Sequence, residues 1–290
     1  MNTLSADELE QLHLHARNVA GSLRLPFRRR SWRGLQGNWQ GLGAGSSLDF
    51  QDHRPYSPGD DPRYINWQAY ARSEHYTMKL YRQEVSPTLD LVIDLSASMF
   101  VDPEKSTRVS ELIYWCVESA LQAGAGLRCH AWRGGSVEPL RVEEVLTHQW
   151  KREAPAADIG ALAEVPWRHG SMRVIISDLL WPGESQPLFH AITAGQAFGI
   201  IYAPFSPEES EPSWTGNLEM LDCESKDVRI QRAEADLMRR YRQAYERHFS
   251  LWYDQALRYH VPLARVPADG ELTTALQAQG SEVGAVEWFD

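Results

Sequence analysis

From residue 87 onward, short apolar runs alternate with stretches whose apolar residues recur every three or four positions. Leu89–Asp94, Leu127–Trp132, Arg173–Asp178, Phe198–Tyr202 and Val261–Val266 read as strands bounded by polar or turn residues. Val109, Leu112, Ile113, Cys116, Val117, Ala120 and Leu121 trace one helical face, and Leu188, Ile192 and Ala197 fit a second helix. Ala233, Leu237, Tyr241, Ala244, His248, Trp252 and Ala256 predict a long helix from about Gln231 to Tyr259. Strands alternating with helices predict an α/β fold built on a mostly parallel, doubly wound sheet.

The chain before residue 87 is patterned differently. Ser5 and Glu8 have the spacing of a capping box, and Leu9, Leu12, Ala16 and Val19 follow at helical intervals, predicting a helix from Ala6 to Leu23. Arg24, Arg28, Arg29, Arg30 and Arg33 come next, interleaved with Phe27 and Trp32. Glycines then crowd residues 34–50, including Gly41, Gly43 and Gly45. No apolar strand precedes them and no Lys-Ser/Thr follows, so a loop or irregular hairpin is expected rather than a phosphate cradle. The expected organisation is an N-terminal helix/loop region over 1–86 and an α/β domain over 87–290.

The balance of 29 basic against 39 acidic residues gives a net charge of −10, which disfavours a general nucleic-acid ligand. The arginine-rich stretch is therefore read as a solvated arm pairing with the chain's own carboxylates. Only Lys79, Lys105, Lys151 and Lys226 are lysines among those 29. Cys116, Cys129 and Cys223 form no CxxC pair and suit neither a zinc site nor a disulfide framework. With no signal-like N-terminus and no apolar run long enough for a membrane span, a cytoplasmic location is expected.

Two polar clusters carry the candidate chemistry. In the first, Arg54, Tyr56, Gly59, Asp60, Asp61, Arg63, Trp67 and Arg72 surround a proline-flanked turn. Its arginines and acids predict a partly buried ion-pair cluster around Trp67, structural in role. In the second, Asp94, Ser96 and Ser98 follow one apolar strand, and Asp178 ends another. If those strands flank the topological switch point, the oxygens converge at the carboxyl edge in a set suited to a hard divalent cation. Capping of the following turn by Asp94 and the serines is the simpler use of the same residues.

Asp94-x-Ser96-x-Ser98 resembles the metal-ion-dependent adhesion site of von Willebrand factor A domains. Arg54-x-Tyr56-x-x-Gly59-Asp60-Asp61-x-Arg63-x-Ile65-x-Trp67-x-x-x-Ala71-Arg72 resembles the signature of the domain-of-unknown-function-58 family, whose members carry such a domain. The resemblance covers residues from about Arg30 to the end. It implies a Rossmann-like von Willebrand factor A fold, a Mg²⁺ site (or Mn²⁺) at Asp94, Ser96, Ser98 and Asp178, no enzymatic activity, and a MoxR-type AAA+ ATPase as partner. Where family members place a metal-ligating threonine, this chain has Ala157, in Ala156-Ala157-Asp158-Ile159-Gly160.

Three functions follow from these readings. The leading one is a non-enzymatic interaction or adaptor module with a divalent-metal adhesion site. Ala157 supports a metal-free scaffold with a degenerate site. A metal-dependent hydrolase is the third; the sequence disfavours it through the absence of GxSxG, HExxH and a phosphate loop.

Overall fold

The computed structural model describes residues 4–29, 36–44, 50–150, 155–181, 183–223 and 226–289, with backbone alone at 29, 36–44, 50–53 and 80–85. The chain divides into two compact units, residues 27–87 and residues 1–26 with 88–290. The first helix is thus grouped with the later residues.

In chain order, α1 (Ala6–Ser22) runs into β1 (Leu23–Arg24). The smaller unit holds β2 (Gln36–Ala44), β3 (Phe50–Pro55), α2 (Trp67–Ser73) and β4 (Thr77–Val85). The larger unit continues with β5 (Thr88–Asp94), α3 (Pro103–Gln122), β6 (Gly126–Arg133), β7 (Ser136–Leu140) and α4 (Val142–Leu146). There follow β8 (Met172–Ile176), α5 (Gln186–Thr193), β9 (Phe198–Phe205), α6 (Pro207–Ser210), β10 (Gly216–Leu221) and β11 (Val228–Ala233). The chain closes with α7 (Ala235–Tyr259), β12 (Leu263–Pro267), α8 (Leu272–Val283) and β13 (Glu287–Trp288).

A six-stranded sheet in the order β12-β9-β8-β5-β6-β7 organises the larger unit. All neighbours pair in parallel except β6 and β7, which form an antiparallel hairpin. Strands covered by helices on both faces need apolar residues throughout, and β8 is buried along its whole length. On one face Val92, Ile175, Ile201 and Leu263 pack with Leu188, Phe189 and Ile192 of α5 and Phe249, Trp252 and Ala256 of α7. α3 is buried through most of its length, and α1 packs on it. Trp115 Nε1 donates to Leu23 O at 2.7 Å, and His13 Nε2 lies 2.7 Å from Glu118 Oε1.

The capping box on Ser5 and Glu8 forms as expected, starting α1 at Ala6. Arg24 is not part of a solvated arm. It is buried, donates to Ala20 O and Gly21 O at the end of α1, and lies over the Phe289 ring. A cation there offsets the negative end of the helix. Arg28 is exposed, Arg29 is described by its backbone alone, and Arg30 and Arg33 fall outside the described residues.

The long helix begins at Ala235, not near Gln231. Gln231, Arg232 and Ala233 belong instead to β11, which pairs antiparallel with β10. The glycine-rich stretch contributes β2, which pairs with β4 across two register shifts. Among the described residues no helix is long and apolar enough to cross a membrane.

Candidate functional site

The chain passes from the central β5 to β6 on one side and later to β8 on the other. The switch point therefore lies between the carboxyl ends of β5 and β8, the usual ligand crevice of an open α/β sheet. Ile93 is in register with Ile176, so Asp94 closes β5 beside Ser177 and Asp178, which follow β8. The structure thus brings the acids Asp94 and Asp178 to one edge, as the sequence pattern anticipates.

Local bonds fix the first loop. Asp94 Oδ1 accepts from the Ser96 N–H at 2.9 Å, and Asp94 Oδ2 accepts from Ser177 Oγ at 2.6 Å. The Ser96 and Ser98 hydroxyls are 3.1 Å apart and bonded to each other. Asp94 is buried. Desolvation, reinforced by the nearby Asp178 charge, raises its pKa to about 6.

The second loop is held from several sides. The Asp178 N–H points at Met99 Sδ, and Asp178 Oδ1 accepts from the Leu180 N–H at 3.1 Å. Between them, Leu179 adopts a left-handed conformation (φ 61°), costly for a residue with a Cβ, while its side chain is fully buried. Val101, after the first loop, and Leu180, after the second, are 58% and 39% exposed. Apolar side chains therefore flank the polar site on both sides of the switch point.

Two residues that sequence reasoning did not single out complete the edge. Lys105, on the first turn of α3, donates to Asp178 Oδ2 at 2.8 Å and to Glu209 Oε1 at 2.6 Å. Burial alone would lower the Lys105 pKa, but the Asp178 and Glu209 charges outweigh it and the net shift is upward. Burial raises that of Glu209, with Lys105 opposing. Glu209 lies on α6, just past β9, where Ser206 and Glu209 form a capping box. The Ser206-x-x-Glu209 spacing after an apolar strand was the available signal. For Lys105 there was none, because its partners lie 73 and 104 residues away in sequence.

Ala157 offers no side-chain oxygen and packs in the core cluster, while the Asp158 side chain accepts from the Gly160 N–H at 2.9 Å. A divalent ion of the Mg²⁺ class takes oxygen ligands, and a carboxylate oxygen that accepts one hydrogen bond keeps a second lone pair for it. Every carboxylate oxygen of Asp94 and Asp178 already accepts a bond from the protein. As arranged, the Lys105 ammonium supplies the positive charge facing Asp178.

In the smaller unit the charged signature separates into two local pairs. Arg54 forks onto Asp60, with Nη1–Oδ2 2.8 Å and Nη2–Oδ1 2.6 Å, and the Ser57 N–H also donates to Asp60. Asp61 caps the turn at Pro62 and pairs with Arg63, Nη2–Oδ2 2.6 Å. The expectation of one partly buried cluster around Trp67 is corrected. Trp67 is 57% exposed and Arg72 is exposed, and the adjacent acids of the turn pair with different arginines, Asp60 with Arg54 and Asp61 with Arg63. Tyr56 lies near Tyr76, Tyr70 stacks on Tyr76 at 4.5 Å, and Gly59 supplies the positive φ (105°) of the turn.

Residues 52–131 match the family described as "Protein of unknown function DUF58". The matched stretch runs from the Arg54–Arg72 signature through Asp94, Ser96, Ser98 and Lys105 into β6. Uncharacterized proteins of Mycobacterium bovis and Mycobacterium tuberculosis are 29% identical over 216 residues, spanning 67% of this chain and 67% of theirs. Two solved structures are also similar: a conserved hypothetical protein BatB from Bacteroides thetaiotaomicron (11% identity, TM-score 0.36) and an aerotolerance-related membrane protein from Bacteroides fragilis (13%, TM-score 0.39). Each covers 69% of this chain and 99% of its own.

Proposed function

We propose that this chain is a non-enzymatic interaction module of the domain-of-unknown-function-58 type that docks a protein partner at the carboxyl edge of its sheet. The observation that carries this reading is the exposure of Val101 and Leu180 on the two loops flanking the switch point. Two exposed apolar side chains next in sequence to a polar centre offer the apolar contacts that a partner would bury. The polar centre itself is poorly equipped for hydrolysis. Ser96 and Ser98 bond each other, and neither has a histidine as a hydrogen-bond partner in the described contacts.

A von Willebrand factor A-like character, and a MoxR-type AAA+ ATPase as the partner, follow from the resemblance of the Asp94-x-Ser96-x-Ser98 and Arg54–Arg72 motifs. The same resemblance implies Mg²⁺ or Mn²⁺ at the site. Lys105 on Asp178, together with Ala157, favours the metal-free form of the module.

Binding of the full chain to a MoxR-type ATPase of the same organism tests the proposal. Val101→Asp and Leu180→Asp are expected to fold normally and to weaken the complex by roughly tenfold or more. No complex with the wild-type chain would overturn the partner assignment. Asp94-dependent turnover of phosphoesters or esters would overturn the non-enzymatic reading.

A further inference from the structure

Lys105 is one of only four lysines in a chain that otherwise uses arginine, and its side chain has no solvent exposure. Two costs oppose an ammonium at this position. One is desolvation. The other is its place on the first turn of α3, where the helix end is itself positive; the Lys105 N–H is already donated to Asp102 Oδ1 at 3.1 Å. Matched negative charge offsets both, and it comes from Asp178 and Glu209 at 2.8 and 2.6 Å.

The partners lie past the ends of two adjacent parallel strands, β8 and β9. The ammonium therefore ties the first turn of α3 to two neighbouring loops of the carboxyl edge. We propose that Lys105 is the resident cation of this edge, supplying the positive charge that would otherwise call for a divalent metal, so that the edge keeps its shape without one. The surrounding bonds agree. Asp94 is held by Ser96 and Ser177, the two loop serines bond each other, and the remaining Asp178 oxygen accepts from Leu180. Lysine suits the role better than arginine because an ammonium is a compact point charge, whereas a guanidinium is a broad planar fork. The inference concerns the same edge as the proposed docking surface but does not rest on any partner.

The test is Mn²⁺ titration followed by electron paramagnetic resonance, beside thermal unfolding in chelator and in Mn²⁺, on the full chain. Wild type is expected to take up no Mn²⁺ saturably and to unfold at the same temperature in both buffers. Lys105→Gln, which leaves Asp178 and Glu209 facing each other uncompensated, is expected to unfold at lower temperature in chelator. It should gain a saturable Mn²⁺ site that restores part of the loss. Saturable binding by wild type that Asp94→Ala abolishes would overturn the inference. So would a Lys105→Gln variant as stable as wild type and equally indifferent to metal. Should that variant not fold, the wild-type titration decides together with Glu209→Gln, which keeps the Asp178 pair: indifference of both to Mn²⁺ is the expected result, and saturable uptake by either overturns it. No partner enters this experiment, so its outcome is separate from that of the docking proposal.

Discussion

Burial raises the cost of charging Asp94, and the neighbouring Asp178 carboxylate adds to it, giving a pKa of about 6. An aspartate in the unfolded chain titrates near 4. Below about pH 4 both states hold the proton and the group costs folding nothing. Between about pH 4 and 6 the folded chain keeps a proton the unfolded chain has released, so stability falls as pH rises. Above about pH 6 both states are ionised and the full penalty persists, on the order of 3 kcal/mol. The advantage of Asp94→Asn over wild type is thus expected to grow from pH 4 to pH 7 in urea unfolding with chelator present. An advantage independent of pH would contradict this account. At the opposite end of the same strand, buried Asp90 is satisfied by Arg168 (Nε–Oδ1 2.7 Å) and Ser171 (2.8 Å). Arg168→Ala leaves that charge without its counter-ion and is expected to cost on the order of 3 kcal/mol in chemical unfolding.

Elements differ in how plainly the sequence announces them. β5, β8 and β9 are legible because strands buried on both faces need unbroken apolar runs, and α1 and α3 because their apolar stripes are regular. The β10–β11 hairpin was not anticipated, and only its last residues, Gln231–Ala233, fall within the expected helix. Its exposed Leu221, Val228 and Ile230 lack the core-facing alternation by which a strand is recognised, and Ala233 extends the helical spacing of α7 backwards by chance. At the site, Asp94, Ser96, Ser98 and Asp178 could be read off because each follows a strong strand. Lys105 and Glu209 meet only through the tertiary fold. Packing between elements is tight where β9 passes α5. A Cβ on Gly199 would approach Ile192 Cγ1 to 2.8 Å and Cδ1 to 2.9 Å. Gly199→Ala is expected to destabilise by about 1–3 kcal/mol. That cost should largely vanish in an Ile192→Ala background, and a double-mutant cycle in denaturant measures the difference.

For the molecule as a whole, winding the sheet in both directions from β5 creates a crevice, and the residues delivered to it decide its use. Here the delivered groups are acids held by a lysine, by a serine hydroxyl and by backbone N–H groups, and the role proposed for them is recognition. Hydrogen–deuterium exchange of the full chain, alone and with a MoxR-type ATPase, tests this most directly. The account predicts new protection over residues 95–101 and 177–181. A complex that leaves both loops unprotected would contradict it.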